Sequence, residues 1–302
     1  QIASGIVGAL KNIWGESWGP RLEYVLYASV AALAECRNVT LLGVQRMLID
    51  ARYRRWVVDQ VGDPMVRSFW LREFANYDRR FLLEVVAPVQ NKVGQLLMAP
   101  PLRNVLGQVK SKMDARFMMD QGRILIADLS KGALGEDKAN LMGALLVTEL
   151  QLAALPRADM PAVERRDFFL YVDEFHNFAT DAFTTILSEA RKYRLCLTLS
   201  HQYLDQVRPS IRNAVLGNVA TLISFRVGQS DAQVLAREFD EEFVPQQLTS
   251  MANHEVYVRT LDDGEHVVPF MAKLIGPLDL GYGRSENRSE EHTSELQSLA
   301  YL

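Results

Sequence analysis

Cysteine is scarce: Cys36 and Cys196 are the only two in 302 residues. Two thiols far apart do not make a disulfide framework, and they fit a reducing cytoplasm. No apolar run is expected to reach membrane-spanning length, and no signal peptide opens the chain. His176, His201, His254 and His266 never form His-Glu-x-x-His or join a cysteine cluster, which argues against a zinc hydrolase. There is no internal repeat. The chain starts at Gln1 rather than at a methionine, and the expectation is a fragment whose upstream part is missing.

Charge of one sign is also lacking, but the net value of -4 hides an asymmetry. Residues 20–120 carry fifteen Lys and Arg against ten Asp and Glu, or +5, which leaves -9 for the remainder. Such an excess either contacts phosphates or is a solvated helical face. With 48% hydrophobic and 23% charged residues, a globular chain of one large or two medium domains is expected.

Residues 1–120 read as an all-α domain. After Gly19-Pro20, apolar residues recur at Leu22, Val25, Leu26, Ser29, Val30 and Leu33, then at Val44, Met47 and Leu48, which is helical spacing. Arg67 to Tyr77 reads as one amphipathic helix with Phe69, Trp70, Phe74 and Tyr77 inward. Phe81 to Met98 reads as another, closed by Pro100-Pro101.

From Gly122 the pattern becomes strand and helix in alternation. Ile124 to Leu129 predicts a buried strand, and Ser130 to Gly135 a glycine-bearing loop. A helix follows through Leu141, Leu145, Thr148, Leu152 and Leu155. Phe168 to Val172, Leu195 to Ser200 and Val219 to Val227 predict further strands, with helices between and after them. This alternation implies βαβ units, hence an α/β fold with a mainly parallel sheet over residues 121–283. Asp262-Asp263-Gly264 between two extended runs predicts a hairpin. Residues 284–302, a linker and then a polar run resembling translated sequencing adapter, are set aside as non-native with no place in the architecture.

The chemistry concentrates at Phe168 to Phe178. An unbroken apolar run suits a strand buried on both faces, ending at Asp173 and Glu174, and open α/β sheets place ligands at that end. Adjacent acids there form the Walker B pattern: the first holds Mg²⁺ through water, the second orients or deprotonates an attacking water. A strand that merely ends in two solvated acids gives the same letters. Gln202 ends the next strand, where an amide can bond both a phosphate and a water, or is an ordinary strand-end amide. Arg191, Lys192 and Arg194 close the intervening helix, where the helix dipole alone favours positive charge; an arginine finger reaching a neighbouring subunit is the stronger role. His176 and His201 read as core or supporting residues.

Ile-Leu-Ile-Ala-Asp-Leu-Ser-Lys-Gly at 124–132, Leu-Tyr-Val-Asp-Glu-Phe-His-Asn-Phe at 170–178, Leu-Ser-Glu-Ala-Arg-Lys-Tyr-Arg at 187–194 and Ser-His-Gln at 200–202 together resemble the ATPase domain of type IV secretion coupling proteins. These are the TraG- and TraD-like DNA pumps of the HerA and FtsK superfamily of RecA-like motors. Residues 14–101 are similar to the all-α domain such proteins insert after the P-loop. The resemblance implies a homo-hexamer at the cytoplasmic face of a membrane, held there by an N-terminal segment. It would use ATP and Mg²⁺ to drive single-stranded DNA, alone or bound to a relaxase, towards secretion-channel proteins. It casts Asp173 as the Mg²⁺ acid, Glu174 as the catalytic carboxylate, Gln202 as the sensor and Arg191, or else Arg194, as the arginine acting in trans. The chain departs from that pattern in one respect: no Gly-x-x-x-x-Gly-Lys-Ser/Thr occurs, since residues 4–12 and 130–135 both have the wrong spacing. The 302 residues alone are therefore expected to be inactive. A DExH helicase fits the acid box but not Ser-His-Gln, and a non-catalytic assembly module with a RecA-like fold is the remaining alternative.

Overall fold

Four aspartates punctuate the first half of the chain. Asp50, Asp63, Asp78 and Asp114 each stand before a helix and accept backbone N–H bonds from its first turn, satisfying donors that the helix leaves unpaired. The structure, a computed structural model, describes residues 2–239, 245–275 and 300–301. It divides into two compact units, Gln1–Arg166 and Asp167–Leu302.

The first unit holds α1 (Ile2–Trp14), α2 (Pro20–Ala34), α3 (Gly43–Ile49), α4 (Ala51–Val58), α5 (Pro64–Ser68), α6 (Arg79–Met98), α7 (Pro100–Leu106), α8 (Ala115–Gln121), α9 (Lys131–Leu134) and α10 (Glu136–Ala154). The helical spacing read in α2 and α3 is realised: Leu22, Val25, Leu26, Ser29, Val30, Leu33, Val44, Met47 and Leu48 are all buried. The Ser29 hydroxyl is satisfied by donating to the Val25 carbonyl at 2.7 Å.

Two local expectations are corrected and one is extended. Residues 67–77 are not one helix: α5 ends at Ser68, a π-turn runs Phe69–Glu73 and a 3₁₀ turn Phe74–Asn76. Phe69, Trp70 and Phe74 are nevertheless buried together, as the aromatic spacing predicts. Tyr77 stays part-exposed, donating its hydroxyl to Glu73 at 2.6 Å. α6 ends at Met98 as expected, and Pro100 and Pro101 then open α7 after an extended Ala99, because the first helical turn needs no N–H from them. Finally, Ile124 to Leu129 forms no strand, and Ile124 and Ile126 are 89% and 88% exposed. An apolar run becomes a strand only beside a partner that completes its hydrogen bonds, and no strand pairs with this run among the described residues.

The break between units falls after Arg166, later than the change of pattern at Gly122, because α10 packs against α1. Glu136–Asp159 is also long and apolar enough, at mean hydropathy 1.3, to cross a membrane by length and composition, which the reading of apolar runs missed. In this fold its buried side chains include Leu141, Val147 and Leu150. Gly5 permits the close approach of α1: a Cβ there would lie 2.5 Å from Thr148 Cγ2. Gly5→Ala is therefore expected to cost about 1–3 kcal/mol by overpacking, read as a lower urea midpoint, and an unchanged midpoint would refute the contact.

The second unit contains β1 (Phe168–Val172), β2 (Leu195–His201), β3 (Leu222–Ser224), β4 (Glu255–Arg259), β5 (Leu261–Asp262), β6 (Glu265–His266), β7 (Phe270–Lys273) and β8 (Ala300–Tyr301), with α11 (Asp181–Glu189), α12 (Pro209–Asn218), α13 (Gln229–Phe239) and α14 (Pro245–Ser250). The sheet order is β1-β2-β8-β3-β4-β7. β1 and β2 run parallel, joined through α11, while β3-β4-β7 is antiparallel. The fold is α/β. The predicted hairpin is present, with Asp263 and Gly264 both at positive φ, 46° and 86°, the geometry a two-residue turn requires. Of the terminal stretch 284–302, only Ala300 and Tyr301 are among the described residues; they pair with β2 and β3.

β1 is not buried on both faces as its apolar letters predict. Among the described residues it is an edge strand, and Phe169 and Tyr171 are 60% and 71% exposed on one side while Val172 is buried. Burial of a strand face depends on the layer packed over it and not on its in-sheet neighbours.

Candidate active site

The parallel register pairs Val172 with Leu199, so the residues one step further, Asp173 and Ser200, come together where the two strands end. Ser200 donates its hydroxyl to Asp173 Oδ1 at 2.5 Å. The chain then turns sharply: Glu174 adopts a left-handed conformation with φ of 49°, uncommon for a residue with a long side chain and a mark of a constrained site. Its N–H donates to the same Asp173 Oδ1 at 3.0 Å, and its carbonyl accepts from the backbone and side chain of Asn177.

That turn points the Glu174 carboxylate at the end of β2. Gln202 Nε2 donates to Glu174 Oε1 at 2.8 Å, and His176 Nδ1 lies 3.5 Å from Oε2. Asp173, Glu174 and Gln202, singled out separately from sequence, thus form one cluster. Ser200 is the member sequence reading passed over. Its signal was the parallel register, which aligns it with Asp173 once β1 and β2 are paired.

Phe175, fully buried, anchors the cluster from below: it stacks on Phe183 of α11 and meets His201 edge-on, 5.2 Å between ring centres. His201 is 2% exposed and its Nδ1 has no hydrogen-bond partner among the described residues, which agrees with the core role expected of it. Burial, and to a lesser degree His176, pull its pKa from 6.5 down to about 4. The unfolded chain therefore takes the proton first, so stability present above pH ~6.5 is lost as pH falls towards ~4. His201→Phe is expected to flatten that acid slope, measured as unfolding midpoints across this range, and an unchanged slope would refute the assignment.

Arg191 is exposed and lies in the 3₁₀ turn leading into β2. It belongs to the opposite end of the strand pair, roughly 15–20 Å from Asp173 at ~3.3 Å per residue. Within one copy it is not part of the carboxylate cluster. Arg194 is at that same end, with φ of 56° and an ion pair to Asp167 at 3.2 Å.

Chemically, the arrangement suits a hydrated divalent cation on Asp173. The side chain is exposed, and both of its hydrogen bonds fall on Oδ1, leaving Oδ2 for a metal-bound water. No group of three or more His, Cys, Asp and Glu gathers as a metal site among the described residues, so the protein offers one carboxylate rather than a cage. The chain contains no Gly-rich lysine loop to cradle phosphates.

No family model and no curated protein matches the sequence. Among solved structures, the bacterial conjugative coupling protein TrwBdeltaN70, in its unbound monoclinic form, is similar to the chain. The TM-score is 0.53 at 11% identity, over 91% of this chain and 66% of that one. At that identity the likeness is one of fold.

Proposed function

We propose that these residues form the hydrolytic side of an ATP-driven motor that moves DNA, or DNA carrying a bound protein, in the manner of a conjugative coupling protein. The observation that carries the reading is the bond from Gln202 to Glu174 beside Ser200 and Asp173. In this reading the amide is the sensor and the carboxylate the catalytic group, so that a change at one is felt by the other.

Bound Mg²⁺ would neutralise charge developing on the transferred phosphoryl group. Asp173 would hold its hydration shell, with Ser200 fixing the carboxylate's rotation. Glu174 would orient the attacking water and accept its proton. Gln202 would leave Glu174 for the γ-phosphate when nucleotide is bound and return after hydrolysis, which supplies the two states that a motor needs. Arg191, remote from the cluster in its own copy, would serve the site of a neighbouring subunit in a homo-hexamer. In this reading the phosphate cradle would be supplied by residues other than these 302, which contain no Gly-x-x-x-x-Gly-Lys-Ser/Thr. The cargo would be single-stranded DNA, with relaxase and secretion-channel proteins as partners, at the cytoplasmic face of a membrane.

The test is magnesium-dependent, DNA-stimulated ATP hydrolysis, by the purified chain and by the native gene product that spans it. The chain alone is expected to show none, whereas the gene product hydrolyses ATP in a manner that depends on Asp173 and Glu174. Turnover by the chain alone, or activity in the gene product indifferent to both acids, would replace the motor reading with that of an assembly module.

A further inference from the structure

Three arginines of the first unit, Arg52, Arg54 and Arg55, lie on the short helix α4. Residues 37–56 contain Arg37, Arg46, Arg52, Arg54 and Arg55 against the single acid Asp50. Two of these arginines serve the fold. Arg54 donates to the Met47 and Leu48 carbonyls at the end of α3 and covers the Phe74 ring at 5.0 Å. Arg46 lies 4.1 Å over the Tyr53 ring and reaches Asp50 at 3.4 Å.

Arg52 and Arg55 do neither. Both are exposed on α4, and no ion pair or hydrogen bond of their side chains occurs among the described residues. Asp59, one turn beyond Arg55, is not within ion-pair distance of it. Trp56, four residues after Arg52 and so beside it on the helix surface, is 48% exposed. Its ring meets Tyr53 at 5.7 Å with a tilt of 31°, and Tyr53 in turn carries Arg46, so Trp56 is held by Tyr53 while half open to solvent.

We infer that this face of α4 is a landing site for single-stranded nucleic acid: Arg52 and Arg55 contact successive phosphates, and an unpaired base stacks on Trp56. Charge complementarity calls for a polyanion, and the half-exposed indole selects among polyanions. A base already stacked in a duplex cannot reach that ring, and an acidic peptide has no use for it. The site deepens the proposed function by giving the cargo a place on the helical unit, and rests on that reading only for the cargo being DNA.

The experiment is fluorescence anisotropy of a labelled oligothymidylate with the full 302-residue chain. Arg52→Gln with Arg55→Gln is expected to weaken binding about tenfold and to reduce the slope of log affinity against log salt by about 1.4, two contacts at ~0.7 each. Trp56→Leu is expected to weaken it about tenfold and to abolish most of the tryptophan quenching that oligothymidylate causes in the parent. Asp59→Asn, which removes the acid one turn beyond Arg55, should tighten binding about twofold; this gain cannot arise from misfolding. Absence of oligothymidylate binding, binding unchanged in all three variants, or equal competition by polyglutamate independent of Trp56 would overturn the proposal. These readouts involve no hydrolysis, so their failure leaves the Glu174 dependence of the motor reading intact, and loss of that dependence leaves this site standing.

Discussion

Asp120→Ala is expected to lower the stability of the first unit by about 3 kcal/mol, the usual scale for stranding a buried charge. The Arg157 side chain is completely buried and gives its guanidinium to Asp120 Oδ1 at 3.1 Å and to the Arg166 carbonyl. Burial pulls the Arg157 pKa down, and Asp120 opposes that pull, so the carboxylate is what keeps the charge tolerable. Asp120, at 22% exposure, also pairs with Arg116. Removing it takes the opposing charge away from a desolvated cation. The replacement of both members, Asp120→Leu with Arg157→Met, should recover most of the loss, because two apolar side chains of similar size require no desolvation of charge. The measurement is chemical unfolding at constant slope. A cost below about 1 kcal/mol for Asp120→Ala would mean that water reaches the guanidinium on removal of the acid.

The second large effect concerns rate. On the motor reading, Glu174→Gln is expected to lower DNA-stimulated ATP turnover of the native gene product by about 10²–10⁴-fold, the range for losing a positioned general base. The substitution keeps the size of the side chain and the acceptor that Gln202 uses, so nucleotide affinity should stay within about threefold, which is the signature of an interaction made only in the transition state. A parallel loss of affinity would instead assign Glu174 a part in binding. Activity that survives unchanged would remove the carboxylate from the mechanism altogether.

The helical first unit was legible in sequence where the burial is periodic. The α2 and α3 spacings identify the buried residues directly, since 3.6-residue periodicity is a property of the helix itself. The hairpin at Asp263-Gly264 was legible for a similar reason, its positive φ angles being demanded by the turn and met by those residue types. The carboxylate cluster was legible as three separate residues. What joined them was register: pairing Val172 with Leu199 brings Asp173 to Ser200, and the left-handed Glu174 swings its carboxylate to Gln202.

Sequence was silent or misleading where a residue's state depends on a neighbour far along the chain. Ile124 to Leu129 and Phe168 to Val172 carry the same apolar letters, yet among the described residues the first is exposed and unpaired while the second is an edge strand with one open face. Apolar composition reports a capacity for burial, and only the presence of a partner strand or helix converts it into burial. The same holds for Arg157, indistinguishable in sequence from its exposed neighbours, and for Arg52 and Arg55, whose freedom is visible only once Arg46 and Arg54 are seen to be occupied. Local periodicity, turn chemistry and the adjacent acids were thus determined by the sequence itself, because each depends on residues a few positions apart. Strand register, the burial of individual charges and the assembly of the site were decided by tertiary structure, because each depends on contacts that close long loops.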